Sequence, residues 1–386
     1  MKKYDWDNDI LRKKRNKLLV LANNVEDLNK KQELYKVIAF LDNYHFINLS
    51  GANPPKQDLY SKIYYTASER TGYFPAYHLV TDFYSKILPL KEKFDLVHDK
   101  LNQKLGDAKD FSTITGTRIS NKKAFYLLNK FYQSFNPTLY SEFEKIYNTR
   151  FDHFRFTSDN TGNDSNQISD GFCIYLGELN ENYISINKDN TISKLFNLIH
   201  ECGHGVANLV NGKKCYCEKE SFFAEIESIF PEMVSLYTNP FNFPQAEVNH
   251  LLYCILYTYF EAANYICMHD LIIDSWEDNN FKTGINFKKQ LYNKYGIRNI
   301  DLLNALNHSI TDSGCYVLSY SACCELLYIY KQDKEKALEI YNKLLRINPD
   351  LNEIYQVSSL LDLNKHSNEI SNEIVDRMIL SMRKLG

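Results

Sequence analysis

The pentapeptide His200-Glu201-Cys202-Gly203-His204, inside the run Lys194-Leu-Phe-Asn-Leu-Ile-His-Glu-Cys-Gly-His-Gly-Val-Ala-Asn-Leu-Val210, decides how the rest of the chain is read. Residues four apart stack on one face of an α-helix. Two imidazoles at that spacing can grip one metal ion, with the intervening carboxylate aimed at water bound to it. The run itself predicts the helix. Leu195, Leu198, Ile199, Cys202, Val206 and Leu209 recur at helical spacing and form one apolar stripe. At about 100° per residue, His200, Glu201 and His204 fall on the opposite side, beside Asn197 and Asn208. Asn190-Thr191 supplies an N-cap. Gly203 in the helix interior costs about 1 kcal/mol relative to alanine, which points to something approaching the backbone closely there.

A catalytic zinc needs a third protein ligand and keeps a fourth position open. Ser221-Phe-Phe-Ala-Glu-Ile-Glu-Ser-Ile-Phe-Pro-Glu-Met233 reads as a second helix with Phe222, Ile226, Ile229 and Met233 inward. Glu225 lies on the flank of that stripe, Glu232 shares the flank, and Glu227 projects from the other side. A carboxylate at the edge of a core is costly unless paired or coordinated. Glu225 is therefore the expected third ligand; Glu227 competes for the place but is expected to be solvated. Glu232 or Ser228 is suited to orient a ligand imidazole through its other nitrogen, or is an ordinary helix residue.

Together these segments resemble the oligoendopeptidase F and thimet oligopeptidase group of zinc metallopeptidases, whose motif is His-Glu-x-Gly-His followed by an Ala-Glu-Ile-x-Ser-x-Phe-x-Glu-like segment. Gly203 matches the motif glycine, and Ala224 to Glu232 matches the second segment almost throughout. Ser169-Asp-Gly-Phe-Cys-Ile-Tyr175 and Tyr183-Ile-Ser-Ile-Asn187 are similar to the family's short strands beside the zinc helix. Downstream, His308 and Ser313-Gly-Cys-Tyr-Val-Leu-Ser-Tyr320 are similar to its histidine and tyrosine loop, although Cys315 and Leu318 stand where relatives carry more aromatics. The resemblance implies a mainly α, helical zincin-type fold of the gluzincin kind, with a small β-sheet beside the active-site helix and a substrate cleft. It implies one Zn2+ per chain held by His200, His204 and Glu225, with Glu201 as general base in the hydrolysis of oligopeptides. It implies further that the strand around Phe172 to Tyr175 pairs with an extended substrate backbone.

Peptide hydrolysis builds negative charge on the carbonyl oxygen, and hydrogen-bond donors aimed at that oxygen stabilise it. Tyr320, Tyr316 and His308 are suitable donors, and Gly314 gives their loop freedom to close. The same two tyrosines also line up with Leu327, as core aromatics would. The resemblance covers most of the chain beyond residue 60, from Tyr73-Phe-Pro-Ala-Tyr77 to Met378-Ile-Leu380. Residues 1–60 are read as an N-terminal helical segment standing for a much reduced lobe, and 61–386 as the catalytic domain. A shortened lobe is expected to leave the cleft more open to longer chains, or to need a partner as its missing wall. Lys336 to Asp350 faintly matches a tetratricopeptide unit, but no second copy follows at that period.

Composition bounds the remainder. Length alone allows two or three domains, yet the pattern is helical nearly throughout, with Ser158 to Gln167 as the clearest loop. A net charge of −3 gives no reason to expect nucleic acid or an acidic membrane as partner. Arg12 to Lys17 reads as the solvated side of a first helix. Leu251 to Ile273 is apolar but interrupted by Glu261, Asn264, His269 and Asp270, so no membrane span is expected. No secretory signal is evident, and nine cysteines without framework spacing fit free thiols in a reducing, cytoplasmic compartment. Cys202 is expected to be a core thiol. Two alternatives stand: a zinc-dependent carboxypeptidase or dipeptidase of the same plan, and a non-catalytic, zinc-stabilised peptide-binding protein. A purely structural site would need no Glu201. Oligomeric state is not legible.

Overall fold

The stripe predicted over 194–210 forms a helix at Ser193–Asn211, with Leu195, Leu198, Ile199, Cys202 and Val206 buried. In chain order it is α6 of a computed structural model. Before it come α1 (Asn8–Asn24), α2 (Tyr77–Ile87), α3 (Lys91–Leu105), α4 (Asn121–Phe135), α5 (Tyr140–Asn148), β1 (Phe154–Thr157), β2 (Phe172–Leu176) and β3 (Glu181–Asn187). After it come α7 (Ile226–Thr238), α8 (Gln245–Glu277), α9 (Ile310–Gln332), α10 (Lys334–Leu344), α11 (Glu353–Leu360) and α12 (Ser367–Lys384). The structure describes residues 8–26, 77–105, 116–157, 171–176, 179–187, 190–211, 221–277, 310–347 and 353–384, with isolated positions between 30 and 41 and between 289 and 293. The expected mainly α architecture with one small sheet is what is found.

The chain divides into two compact units. One comprises Met1–Leu88 and Tyr259–Val317, the other Pro89–Thr258 and Leu318–Gly386. The boundary expected at residue 60 lies outside the described residues. Within the first unit, Leu11 and Leu41 pack together with Leu18 beside them, and Tyr84 stacks on Phe260 at 5.8 Å. Arg12, Lys13, Lys14 and Lys17 keep contact with solvent, while Arg15 is buried.

The second unit is organised on α6, which packs against α4, α5 and α7 and faces β2 and β3. Tyr132 of α4 donates its hydroxyl to the Ile199 carbonyl of α6 at 2.7 Å, which anchors the back of the motif helix. The sheet has the order β1-β3-β2: β1 runs parallel to β3, and β2 antiparallel. Ile184 and Ile186 of β3 are buried, and so is Ser185 between them, so this central strand is covered on both faces. Asn180, with φ at 55°, makes the turn between β2 and β3. Strands β2 and β3 match the sequence expectation; β1 was not foreseen. Among the described residues β2 is an edge strand, with Phe172, Ile174 and Leu176 exposed.

Two expectations change. The second helix begins at Ile226, five residues later than read, after a turn at 222–225. The segment from Ser313 to Tyr320 is not a loop but part of helix α9, so Gly314 is no hinge there. The long apolar stretch lies within helix α8, and no described helix is long and apolar enough to cross a membrane. Cys173, Cys202, Cys254, Cys315, Cys323 and Cys324 are thiols outside any disulfide, with Cys202 in the core as expected.

Candidate metal centre

Helix α6 sets His200 and His204 one turn apart, with ring centroids at 5.2 Å and planes at 75°. The first turns of α7 cross over them. Glu232 takes the Nδ1 of His200 at 2.8 Å, and Glu227 takes the Nδ1 of His204 at 2.9 Å. With both Nδ1 atoms engaged, both Nε2 atoms turn toward Glu225. Its Oε2 lies 3.3 Å from the Nε2 of His200 and 3.4 Å from that of His204. Ser228 donates its hydroxyl to the same oxygen at 2.9 Å. One ligand atom from each of the three residues lies within 4.8 Å of the others.

A divalent ion fits this set. Ligands about 2.0–2.1 Å from a tetrahedral zinc are separated by about 3.3–3.4 Å, and the two His–Glu separations match that edge. The donor set of two neutral imidazole nitrogens and one carboxylate oxygen is also that of open catalytic zinc sites. Without a cation the protons must stand in for it. Burial alone would lower His200, but hydrogen bonds to Glu225 and Glu232 outweigh it and raise its pKa to about 10. His204 is likewise pulled down by burial and lifted well above the ordinary imidazole range, first by the charge of Glu225. Glu225 is pushed up by burial and held well below the usual carboxylate range by His204 and His200.

Glu201 projects from the same face and is 5% exposed. Burial raises its pKa, and the nearby imidazoles of His200 and His204 only partly oppose this. Its carboxylate packs on the backbone just before β2. A Cβ placed on Gly171 would stand 2.6 Å from Oε1 of Glu201. Gly203 explains its helix-interior cost in the same way. A Cβ there would meet the Glu227 carbonyl oxygen at 2.3 Å and Ser228 Cα at 2.8 Å, so the missing side chain lets α7 lie directly on α6. Pro231 contributes to this contact. It lacks the N–H that would bond the Glu227 carbonyl four residues back, and that carbonyl accepts the Tyr341 hydroxyl at 2.7 Å instead.

His200, His204 and Glu225 are thus brought together, with Glu201 beside them. Glu227 is corrected: it is not solvated but holds His204, with its side chain 13% exposed. The reason is geometric. Helix α7 approaches so closely at Gly203 that carboxylates on both flanks of its first turns reach an imidazole. Glu232 orients His200, and Ser228 holds Glu225 rather than a ring. Tyr320 is 0% exposed, with its hydroxyl beside the Cys324 thiol, which is the core-aromatic alternative. Tyr316 is 41% exposed and stacks on Tyr259 at 6.2 Å. His308 lies outside the described residues. Gly171 and Tyr341 were missed as parts of the site; only the proline at position 231 hinted at an unsatisfied carbonyl needing an outside donor.

A scan against protein-family models and a search of curated proteins both find no match. Solved structures do match. A candidate peptidase of Chlamydophila abortus aligns over 98% of this chain and 63% of its own, at TM-score 0.58 and 14% identity. A candidate oligoendopeptidase F of Bacillus anthracis aligns over 97% of this chain and 67% of its own, at TM-score 0.53 and 14% identity. PZ peptidase A, solved with an inhibitor, aligns over 97% of this chain and 76% of its own, at TM-score 0.53 and 13% identity. The fold is therefore of the oligoendopeptidase type. The chain spans less than two thirds of the length of the first of these structures.

Proposed function

We propose that this chain is a zinc-dependent metalloendopeptidase that hydrolyses oligopeptides. The observation that carries the reading is the meeting of two imidazole Nε2 atoms on one oxygen of Glu225 at 3.3 and 3.4 Å, with Glu201 buried alongside. His200, His204 and Glu225 would hold the ion. When bound, zinc supplies a Lewis acid and lowers the pKa of a water from about 15.7 to about 7.

The chain's own residues do the rest. Glu232 and Glu227 fix the tautomer of each histidine, so that Nε2 keeps its lone pair for the ion. Glu201 accepts the proton of the attacking water and passes it to the departing amine. Burial makes Glu201 a stronger base than an exposed carboxylate, which suits a group that must take up and return a proton near neutral pH. Tyr316, Tyr320 and His308 carry the proposed oxyanion role by resemblance. Of the two described, Tyr316 already reaches solvent, whereas Tyr320 would have to turn out of the core. Strand β2 would take the substrate backbone as an added strand. Its edge position and the contact of Gly171 with Glu201 at its start both favour this, because a peptide lying along β2 would run past the base. Main-chain pairing of that kind implies broad sequence tolerance.

A mixed library of end-blocked peptides and a denatured protein, incubated with zinc-loaded protein and read by mass spectrometry, tests the reading. Internal cuts that vanish with Glu201→Gln while bound zinc is retained are expected. Cleavage at an undiminished rate by Glu201→Gln would overturn the mechanism, and trimming only of free ends would replace the endopeptidase with an exopeptidase.

A further inference from the structure

We infer that Glu353, on α11, is a positioning residue for the metal site, acting through the turn that carries Glu225. The inference rests on the metal-site reading proposed above. Glu225 stands just outside the regular part of α7. It occupies the N-cap position at φ −93° and ψ −3°, with no side-chain cap of its own, after a turn at 222–225. Backbone bonds tie the rear of the turn to α7, from the Ile226 N–H to the Phe223 carbonyl at 3.1 Å and from the Ile229 N–H to the Glu225 carbonyl at 2.9 Å. Other groups must hold its leading end and the Glu225 N–H.

Two clamps do so. Behind Glu225, its own N–H donates to Ser319 Oγ at 3.2 Å, and Ser319 is fully buried in α9. At the far end of the turn stands Glu353, 131 residues away in sequence from its partner Phe222. One oxygen of its carboxylate accepts the Ser221 hydroxyl, and the other accepts the Phe222 N–H at 2.9 Å. Ser221 Oγ in turn accepts the Phe223 N–H at 3.0 Å. A single carboxylate therefore grips three consecutive residues, directly or through Ser221. Glu353 is 3% exposed. A carboxylate buried to that degree is costly unless its lone pairs are satisfied, and here the donors are those of the turn itself.

The consequence falls on the metal rather than on the fold. Metal–ligand distances tolerate only about 0.2 Å, whereas a packed helix absorbs a small shift of a preceding turn. Releasing Ser221 and Phe222 frees the approach to Glu225 while leaving the core of α7 (Ile229, Phe230, Met233) in place. Glu325 offers a matched control. It is also 3% exposed and also accepts two hydrogen bonds, from the N–H and the ring Nδ1 of His366, each at 2.6 Å, but it holds no part of the turn.

The test compares metal-free wild type with Glu353→Ala, Glu353→Gln, Ser221→Ala and Glu325→Gln. Affinity for Zn2+ is measured by competition with a chromophoric chelator. Coordination is read from the visible spectrum of the Co2+ form, and each metal-free protein is also melted. Glu353→Ala is expected to weaken zinc binding about 10-fold or more and to change the cobalt spectrum. Ser221→Ala should weaken binding less, and Glu353→Gln should recover part of the affinity, because its amide oxygen still accepts from Phe222. Glu325→Gln should lower the melting temperature without moving either metal readout. If Glu353→Ala fails to fold, Ser221→Ala and Glu353→Gln decide. Wild-type affinity and an unaltered cobalt spectrum in the folded variants would overturn the inference while leaving the metal site standing. Failure of the wild type to bind either ion would bring down the metal-site reading itself.

Discussion

Replacing Gly203 by alanine sets two effects of opposite sign against each other. On helix propensity alone the change should stabilise α6 by about 1 kcal/mol. The packing opposes it. The new Cβ would stand 2.3 Å from the Glu227 carbonyl oxygen, where ordinary contact begins at 3.4 Å, so α7 must withdraw by the difference, 1.1 Å. The obstacle is backbone, not the end of a flexible side chain, and overpacking of this kind typically costs about 1–3 kcal/mol. A net loss of up to about 2 kcal/mol is expected once propensity is subtracted. The effect on the site is larger than that on the fold. The same withdrawal would carry Glu227 away from its 2.9 Å contact with His204 and Glu225 away from both Nε2 atoms. Urea denaturation of the metal-free protein gives the first quantity, and zinc titration gives the second. A variant as stable as the wild type, or more so, with undiminished zinc affinity would refute the claim that the α6–α7 contact at this glycine builds the site.

Gly171→Ala presses on Glu201 instead, with a Cβ 2.6 Å from Oε1 and 2.9 Å from Cγ. Turnover should fall by about 10² or more while zinc affinity holds; equal loss of both would show that Gly171 serves the fold rather than the base. Glu227→Gln and Glu232→Gln each remove the charge behind one histidine, and each should weaken zinc about 10- to 100-fold. Isothermal titration showing no loss in Glu227→Gln would return that residue to the solvated role. The pH dependence follows from the raised histidines. In the metal-free protein the stability contributed by His200 is fully present below its ordinary value of 6.5 and is lost as pH rises through about 10. Zinc must displace those protons, so its affinity should climb with pH over that window, with proton release at neutral pH. Calorimetry in buffers of different ionisation enthalpy measures the release, and none at neutral pH would contradict the raised imidazoles.

What was legible in the sequence was whatever local periodicity encodes. The stripe from Leu195 to Val206 gave helix α6 and its polar face; the two strands came from the family resemblance of 169–175 and 183–187 and stand at Phe172–Leu176 and Glu181–Asn187. Glu225 was accessible because a carboxylate on the flank of an apolar stripe needs a reason to be there. Less visible was everything decided by how closely elements approach. Glu227 and Glu225 look out from opposite sides of an isolated helix, and only the contact at Gly203 brings both to the histidines. Strand β1 is four residues long and pairs parallel to β3, with too few residues for alternation to show. The tyrosine segment differs from expectation because a family loop was expected where Ile310–Gln332 is helical; Tyr316 and Tyr320 lie one turn apart on the same face, and packing along the helix buries Tyr320 while leaving Tyr316 41% exposed. Pro231, inside a helix, was the one local sign that a distant group must satisfy a carbonyl, and it did not say which.

The convergence of three side chains on one ion is tested most directly by equilibrium dialysis of the metal-free chain against Zn2+, comparing the wild type with Glu225→Ala. One ion per wild-type chain and a steep loss of affinity in the variant are expected. Equal binding by both proteins, or none by the wild type, would show that Glu225 and the two histidines do not form a metal site.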